Sequence, residues 1–154
     1  MQLSGKKKKS LIKVLKGHYG ERLVSVLIYG SYGRGKATPE SDLDLLLVIN
    51  GLPPSRAERV EEFISKVEDK LEGEGLPYLS VVLKTPGEAC RGSPLFLDMV
   101  EDAEILYDKE GFFQGILDRL RARLKELGAK RIFKGTRWYW VLKPDLKPGE
   151  VFEI

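Results

Sequence analysis

Residues 43–49 read Leu-Asp-Leu-Leu-Leu-Val-Ile, a short apolar run stopped at once by Asn50-Gly51-Leu52-Pro53-Pro54. A run of this length between turn residues reads as a strand buried on both faces rather than as an amphipathic helix. A second run of the same kind, Leu23 to Tyr29 (LVSVLIY), stops at Gly30 and is richer in β-branched residues. Two such strands need covering layers, which restricts the chain to a sheet with helices packed on it.

The covering helices are legible in the remaining pattern. Ser55, with Glu58 three residues on, predicts a capped helix carrying Val60, Phe63, Ile64, Val67 and Leu71 at helical spacing until Gly73 and Gly75 end it. Tyr78 to Leu83 is a third strand, and Thr85-Pro86 starts a short helical segment. Ser93-Pro94 opens a helix through LFLDMV. Ile105 to Tyr107 is an edge strand or the end of that helix. Phe112, Phe113, Ile116, Leu117, Leu120, Leu124 and Leu127 form one apolar face of a long helix ended by Gly128. RIFKGTRWYWVLKP reads as one or two strands around Lys134-Gly135-Thr136. The expected class is α/β (α+β), with a mixed central β-sheet and helices packed on it. Residues 1–10 read as a basic flexible arm, with a short helix from Leu11 to Lys16, and residues 11–154 as one domain with a C-terminal helix and strand extension.

Composition closes off several chemistries. At 154 residues with 42% hydrophobic content, one folded domain is the natural size. No stretch approaches the ~18 consecutive apolar residues of a membrane span, and the Lys-rich start lacks a signal peptide's apolar region. The expectation is a soluble, cytoplasmic chain. A single cysteine, Cys90, and a single histidine, His18, leave no Cys- or His-based zinc site. Any metal must be held by carboxylate oxygen, which favours Mg²⁺ or Mn²⁺. Abundant charge (32%), with Asn50, Gln2 and Gln114 as the only side-chain amides, hints at a thermophilic host.

The segment that carries chemistry is Gly30-Ser31-Tyr32-Gly33-Arg34-Gly35, followed by Asp42-Leu43-Asp44. A strand ending on glycine lets backbone amides approach a phosphate, and a short hydroxyl can donate to it. Asp42 and Asp44, two apart at the head of a strand, project from one face while Leu43 enters the core. Two carboxylates so close repel unless a cation lies between them, and Mg²⁺ shared with substrate phosphates resolves that repulsion.

Gly30-Ser31, the Arg34-Gly35 step and Ser41-Asp42-Leu43-Asp44-Leu45 together resemble the signature of the minimal nucleotidyltransferases of the DNA polymerase β superfamily. SPLFLDMVEDAEILYD and RWYWVLKP are similar to segments of stand-alone nucleotidyltransferase-domain proteins of archaea and thermophilic bacteria. The resemblance implies a nucleotidyltransferase fold. It also implies transfer of a nucleoside monophosphate from an NTP such as ATP to an acceptor (protein, RNA or small molecule), with pyrophosphate leaving. Gly30, Ser31, Gly33 and Arg34 would bind the nucleotide, and Asp42 and Asp44 would be the catalytic, metal-binding pair. For Arg34 a salt bridge to a neighbouring acid is the equal alternative.

The chain departs from the pattern where active members carry a third carboxylate on the next strand. Here that strand is YLSVVL, with Ser80 at the equivalent place and Glu88, Asp98, Glu101 and Asp102 as acids that could reach in. The departure keeps a second function open, a nucleotide-binding module that partners a HEPN-type ribonuclease as its antitoxin. A third, nucleic-acid binding, rests on Lys6–Lys9 alone. A homodimer is a further partner state. Trp138 and Trp140, which alternate, would share one face, either buried or showing one ring to a partner, and are read as core; His18 and Cys90 are read as structural.

Overall fold

The computed structural model describes residues 1–154. Its centre is a four-stranded mixed sheet of β1 (Leu23–Tyr29), β2 (Leu43–Ile49), β3 (Leu79–Lys84) and β4 (Glu104–Asp108), in the order β3-β2-β1-β4. β1 is antiparallel to both β2 and β4, whereas β2 and β3 run parallel. Helices cover both faces, which is why β2 shows no apolar–polar alternation. Leu43, Leu45 and Leu47 face one core, with α1 (Gly5–Tyr19) and α3 (Arg56–Phe63) against them. Leu46 and Val48 face the other, with α5 (Pro86–Cys90), α6 (Leu95–Asp102) and α7 (Phe112–Leu127). All five are fully enclosed, and each such side chain stabilises the fold by about 1.5–3 kcal/mol. No helix is long and apolar enough to cross a membrane.

Several expectations change in detail. The first helix begins at Gly5, so Lys6–Lys9 lie in its opening turns and do not form a free arm. Ser4 caps it by accepting from Lys7 N, and Lys8 pairs with Glu104 at 2.7 Å. The helix after Ser55 is interrupted by a π-helical turn, Ile64–Glu68, before α4 (Asp69–Leu71). Phe63, Val67 and Leu71 reach the core, while Val60 and Ile64 remain exposed. Residues 104–108 are a strand that completes the sheet's edge. The C-terminal segment forms two strands, β5 (Lys130–Lys134) and β6 (Arg137–Val141), paired only with one another around Gly135-Thr136.

Candidate functional site

β1 ends at Tyr29, and Gly30 turns the chain into a single helical turn, α2 (Gly30–Gly33). Gly30 O accepts from Arg34 N at 3.0 Å and Ser31 O from Lys36 N at 2.8 Å, which folds the loop back on itself. The first amides of such a turn have no partner within it. The Ser31 hydroxyl is half-buried and makes no hydrogen bond inside the protein. The chain then returns through Ala37, buried, to Asp42 at the entrance of β2.

Register decides what meets what. Asp44 lies between Tyr29 on β1 and Ser80 on β3. Its side chain leaves the sheet on the face opposite Leu43 and Leu45. Gly30 packs directly against it: a Cβ built there would overlap Asp44 Oδ2 and lie 3.0 Å from Cγ. Gly30 also has φ +66°, a conformation that L side chains rarely adopt. Two independent constraints therefore require glycine, and one of them is the aspartate itself.

The electrostatics fit a close acidic pair. Burial holds the Asp44 carboxyl above the usual carboxylate range and the charge of Asp42 raises it further, while Ser80 and Arg34 pull it back in part. The Tyr29 hydroxyl is likewise raised, first by burial and then by Asp44. Tyr29 was not singled out from sequence; its place at the end of a strand beside a D-x-D strand is the signal that could have found it.

Arg34 forms no ion pair. Its guanidinium lies over the Trp138 ring, 4.7 Å from the centroid, and near enough to Asp44 to stabilise the carboxylate. Trp138 is brought there by the β5–β6 hairpin, which Asp98 fastens by accepting from both indole groups, Trp138 Nε1 at 2.8 Å and Trp140 Nε1 at 2.9 Å. Both tryptophans are half-buried: Trp138 lies beside the loop, whereas Trp140 packs against the rim of the second core. Gly33 faces protein: a Cβ there would overlap the Asp102 carbonyl and lie 3.2 Å from Ile28 O. Its small size lets the loop rest on the end of α6.

Three of the four acids considered for a third carboxylate are committed to other partners. Glu88 closes a capping box with Thr85 and pairs with Arg59 at 2.7 Å, which together lower its pKa to about 2. Asp98 holds the two indoles, and Asp102 takes a bidentate pair from Arg131 at 2.8 and 3.2 Å. Glu101 is exposed and makes no hydrogen bond. No cluster of three metal-ligating side chains occurs in the chain. What the fold presents is two carboxylates, a serine in register beside one of them, a glycine turn packed against that carboxylate and an arginine.

Those elements place the chain in a known class. Residues 8–91 match the model of the nucleotidyltransferase domain, and the chain belongs to that family. It is 30% identical over 127 residues to the Methanocaldococcus jannaschii chain named "Putative protein adenylyltransferase MJ1305", spanning 81% of this chain and 84% of that one. Among solved structures it resembles a mutant of the toxin–antitoxin pair MntA–HpeT, with a TM-score of 0.51 at 16% identity over 79% of this chain and 92% of the other. The spectinomycin adenyltransferase AAD(9) of Enterococcus faecialis, solved with ATP and spectinomycin, gives a TM-score of 0.50 at 16% identity, covering 82% of this chain and 66% of that one. These two likenesses are of fold.

Proposed function

We propose that this chain transfers AMP from ATP to a hydroxyl group on a protein acceptor, using Asp42 and Asp44 with Mg²⁺. The observation that carries the reading is the fit of Gly30 to Asp44: the turn that would receive phosphates and the carboxylate that would share their cation touch without an intervening side chain. The donor set, hard carboxylate oxygens with no thiolate or imidazole, suits Mg²⁺ held by one or two carboxylates plus substrate phosphates. When bound, that ion would neutralise phosphate charge and favour departure of pyrophosphate. Gly30 and Ser31 cradle the terminal phosphates through backbone amides and the free Ser31 hydroxyl. Arg34, steadied by Trp138, adds positive charge beside them. The acceptor oxygen bonds to the α-phosphorus, the bond to the bridging α,β-oxygen breaks, and the acceptor's proton passes to solvent or to a carboxylate of the pair.

The name of the archaeal relative supports a protein acceptor and an adenylyl donor. The test is incubation with α-labelled ATP, Mg²⁺ and host-cell protein. Label should enter protein with the wild type and fall at least a hundredfold with Asp42→Asn/Asp44→Asn; equal labelling by both would reject the reading.

The absence of a third carboxylate favours a second reading, a nucleotide-binding partner of a HEPN-type ribonuclease with little turnover. The fold likeness to a toxin–antitoxin pair is consistent with it. Purification from native cells distinguishes the two: a stoichiometric helical partner that carries no AMP supports the second reading, and an AMP-modified partner supports the first.

A further inference from the structure

β3 is an edge strand whose outer side is open. It pairs with β2 alone, and of its outward groups only Leu83 O is occupied, accepting from Arg59 Nη1 at 3.3 Å. A groove of about 390 Å³ runs along this edge, between α3 and the loop after α5, with Val81 and Val82 in its floor. Arg59 and Glu88, also in the lining, neutralise each other. Arg56, Lys84 and Arg91 line it as well, and none of these three forms an ion pair. The groove is therefore positive, partly apolar, and edged by unpaired backbone.

Its position relates it to the site above. Ser80, Val82 and Lys84 alternate onto one face of β3, the face that Asp44 shares through its register with Ser80. From Ser80 to Lys84 is four residues, about 13 Å at the usual rise of a strand. A chain lying along β3 would thus reach from the three free cations to the Asp42–Asp44 pair within a few residues.

We infer that the β3 edge is the acceptor-docking surface: it receives an extended, acidic peptide segment, bound by added strand pairing and by Arg56, Lys84 and Arg91, which delivers a hydroxyl-bearing residue to Asp42 and Asp44. The inference rests on the transferase reading for the word acceptor, and on the groove alone for the docking. Strand addition supplies affinity through main-chain hydrogen bonds, and the flanking cations supply the preference for acid. An exposed edge ending in lysine is also a device against aggregation, but that role does not require two further unpaired arginines along the same groove. No aromatic ring lines it, which disfavours single-stranded RNA, whose bases need stacking partners.

The test uses the full chain and a random copolymer of glutamate and tyrosine, with a lysine–tyrosine copolymer and poly(U) as contrasts. Fluorescence anisotropy without nucleotide should show the acidic copolymer binding and the basic one not. Arg56→Glu/Arg91→Glu should weaken that binding at least tenfold, and the milder Arg56→Gln/Arg91→Gln less, with thermal melting as the check on folding. Hydrogen–deuterium exchange over residues 79–84 should slow when the copolymer binds. With labelled ATP, AMP incorporation should fall with the same variants while ATP–Mg²⁺ affinity stays unchanged, and Asp42→Asn/Asp44→Asn should bind copolymer like wild type. Equal binding by wild type and the charge-reversed variant would overturn the inference. So would unaltered exchange at 79–84, preferential binding of poly(U) lost with the same variant, or a concentration-dependent dimer through this edge. Binding with edge protection, but no AMP incorporation into either the copolymer or host-cell protein, would overturn the transferase reading and leave the docking surface standing.

Discussion

Replacing Gly30 by alanine puts a methyl group where the Asp44 carboxylate now lies. Two costs add. A non-glycine residue at φ +66° loses about 1–2 kcal/mol, and forcing aside a packed, half-buried side chain costs about 1–3 kcal/mol more. Gly73→Ala separates them, because Gly73 has φ +85° with nothing within 4 Å of an added Cβ. It should show the backbone cost alone. At about 2–4 °C per kcal/mol for a chain of this size, melting should fall by roughly 2–8 °C for Gly73→Ala and by several degrees more for Gly30→Ala. Calorimetric titration with a nonhydrolysable ATP analogue and Mg²⁺ should show affinity lost only in Gly30→Ala. Removing the obstructed carboxylate, in Gly30→Ala/Asp44→Ala, should recover the steric part of the stability loss without recovering nucleotide binding. Equal melting losses for the two alanine variants, with nucleotide affinity intact in both, would refute the claim that Gly30 is glycine because Asp44 occupies its side-chain space.

Other expectations follow from the same contacts. The Glu88 carboxyl, about 2 in the fold against 4.5 without its partners, stabilises the protein fully above pH 4.5, and that contribution disappears as pH falls toward 2; with the side chain 34% exposed, solvent screening reduces it to about 1–2 kcal/mol. Glu88→Gln should therefore melt lower than wild type at pH 7 and converge with it near pH 2, and a constant difference across that range would contradict the assignment. Trp138→Ala removes the stacking partner of Arg34, a contact of about 0.5–1 kcal/mol, and should raise the KM for ATP about two- to fivefold with kcat little changed. Ser80→Asp places a carboxylate in register beside Asp44; Mn²⁺ titration in the presence of nucleotide should show tighter metal binding, and weaker binding would mean that Ser80 does not face the pair.

The strands and the acidic pair were legible because their signals are local: a buried strand needs an unbroken apolar run, and a two-residue spacing fixes one face. The chemistry of Glu88 was local too. Thr85-Pro86-Gly87-Glu88 spells a capping box, and reading it so removes Glu88 from the candidate acids. The first helix was read too short because four consecutive lysines look like a solvated arm. Its start is set by Ser4, and Lys8 finds Glu104, ninety-six residues away. The place of Trp138 over Arg34 was not legible at all. It depends on Asp98 gathering two indoles from a hairpin forty residues downstream, and no periodicity encodes such a partnership. The exposure of Val60 and Ile64 has a separate, local cause: a π-helical turn, Ile64–Glu68, breaks the regular helical spacing that would have put them on one face with Phe63, Val67 and Leu71.

A crystal structure with a nonhydrolysable ATP analogue and Mg²⁺ tests the central reading most directly. The terminal phosphates should lie on the Gly30-Ser31 amides, with the cation between those phosphates and the Asp42 and Asp44 oxygens. Nucleotide bound elsewhere on the chain, or phosphates at the turn with both aspartates uninvolved, would contradict it.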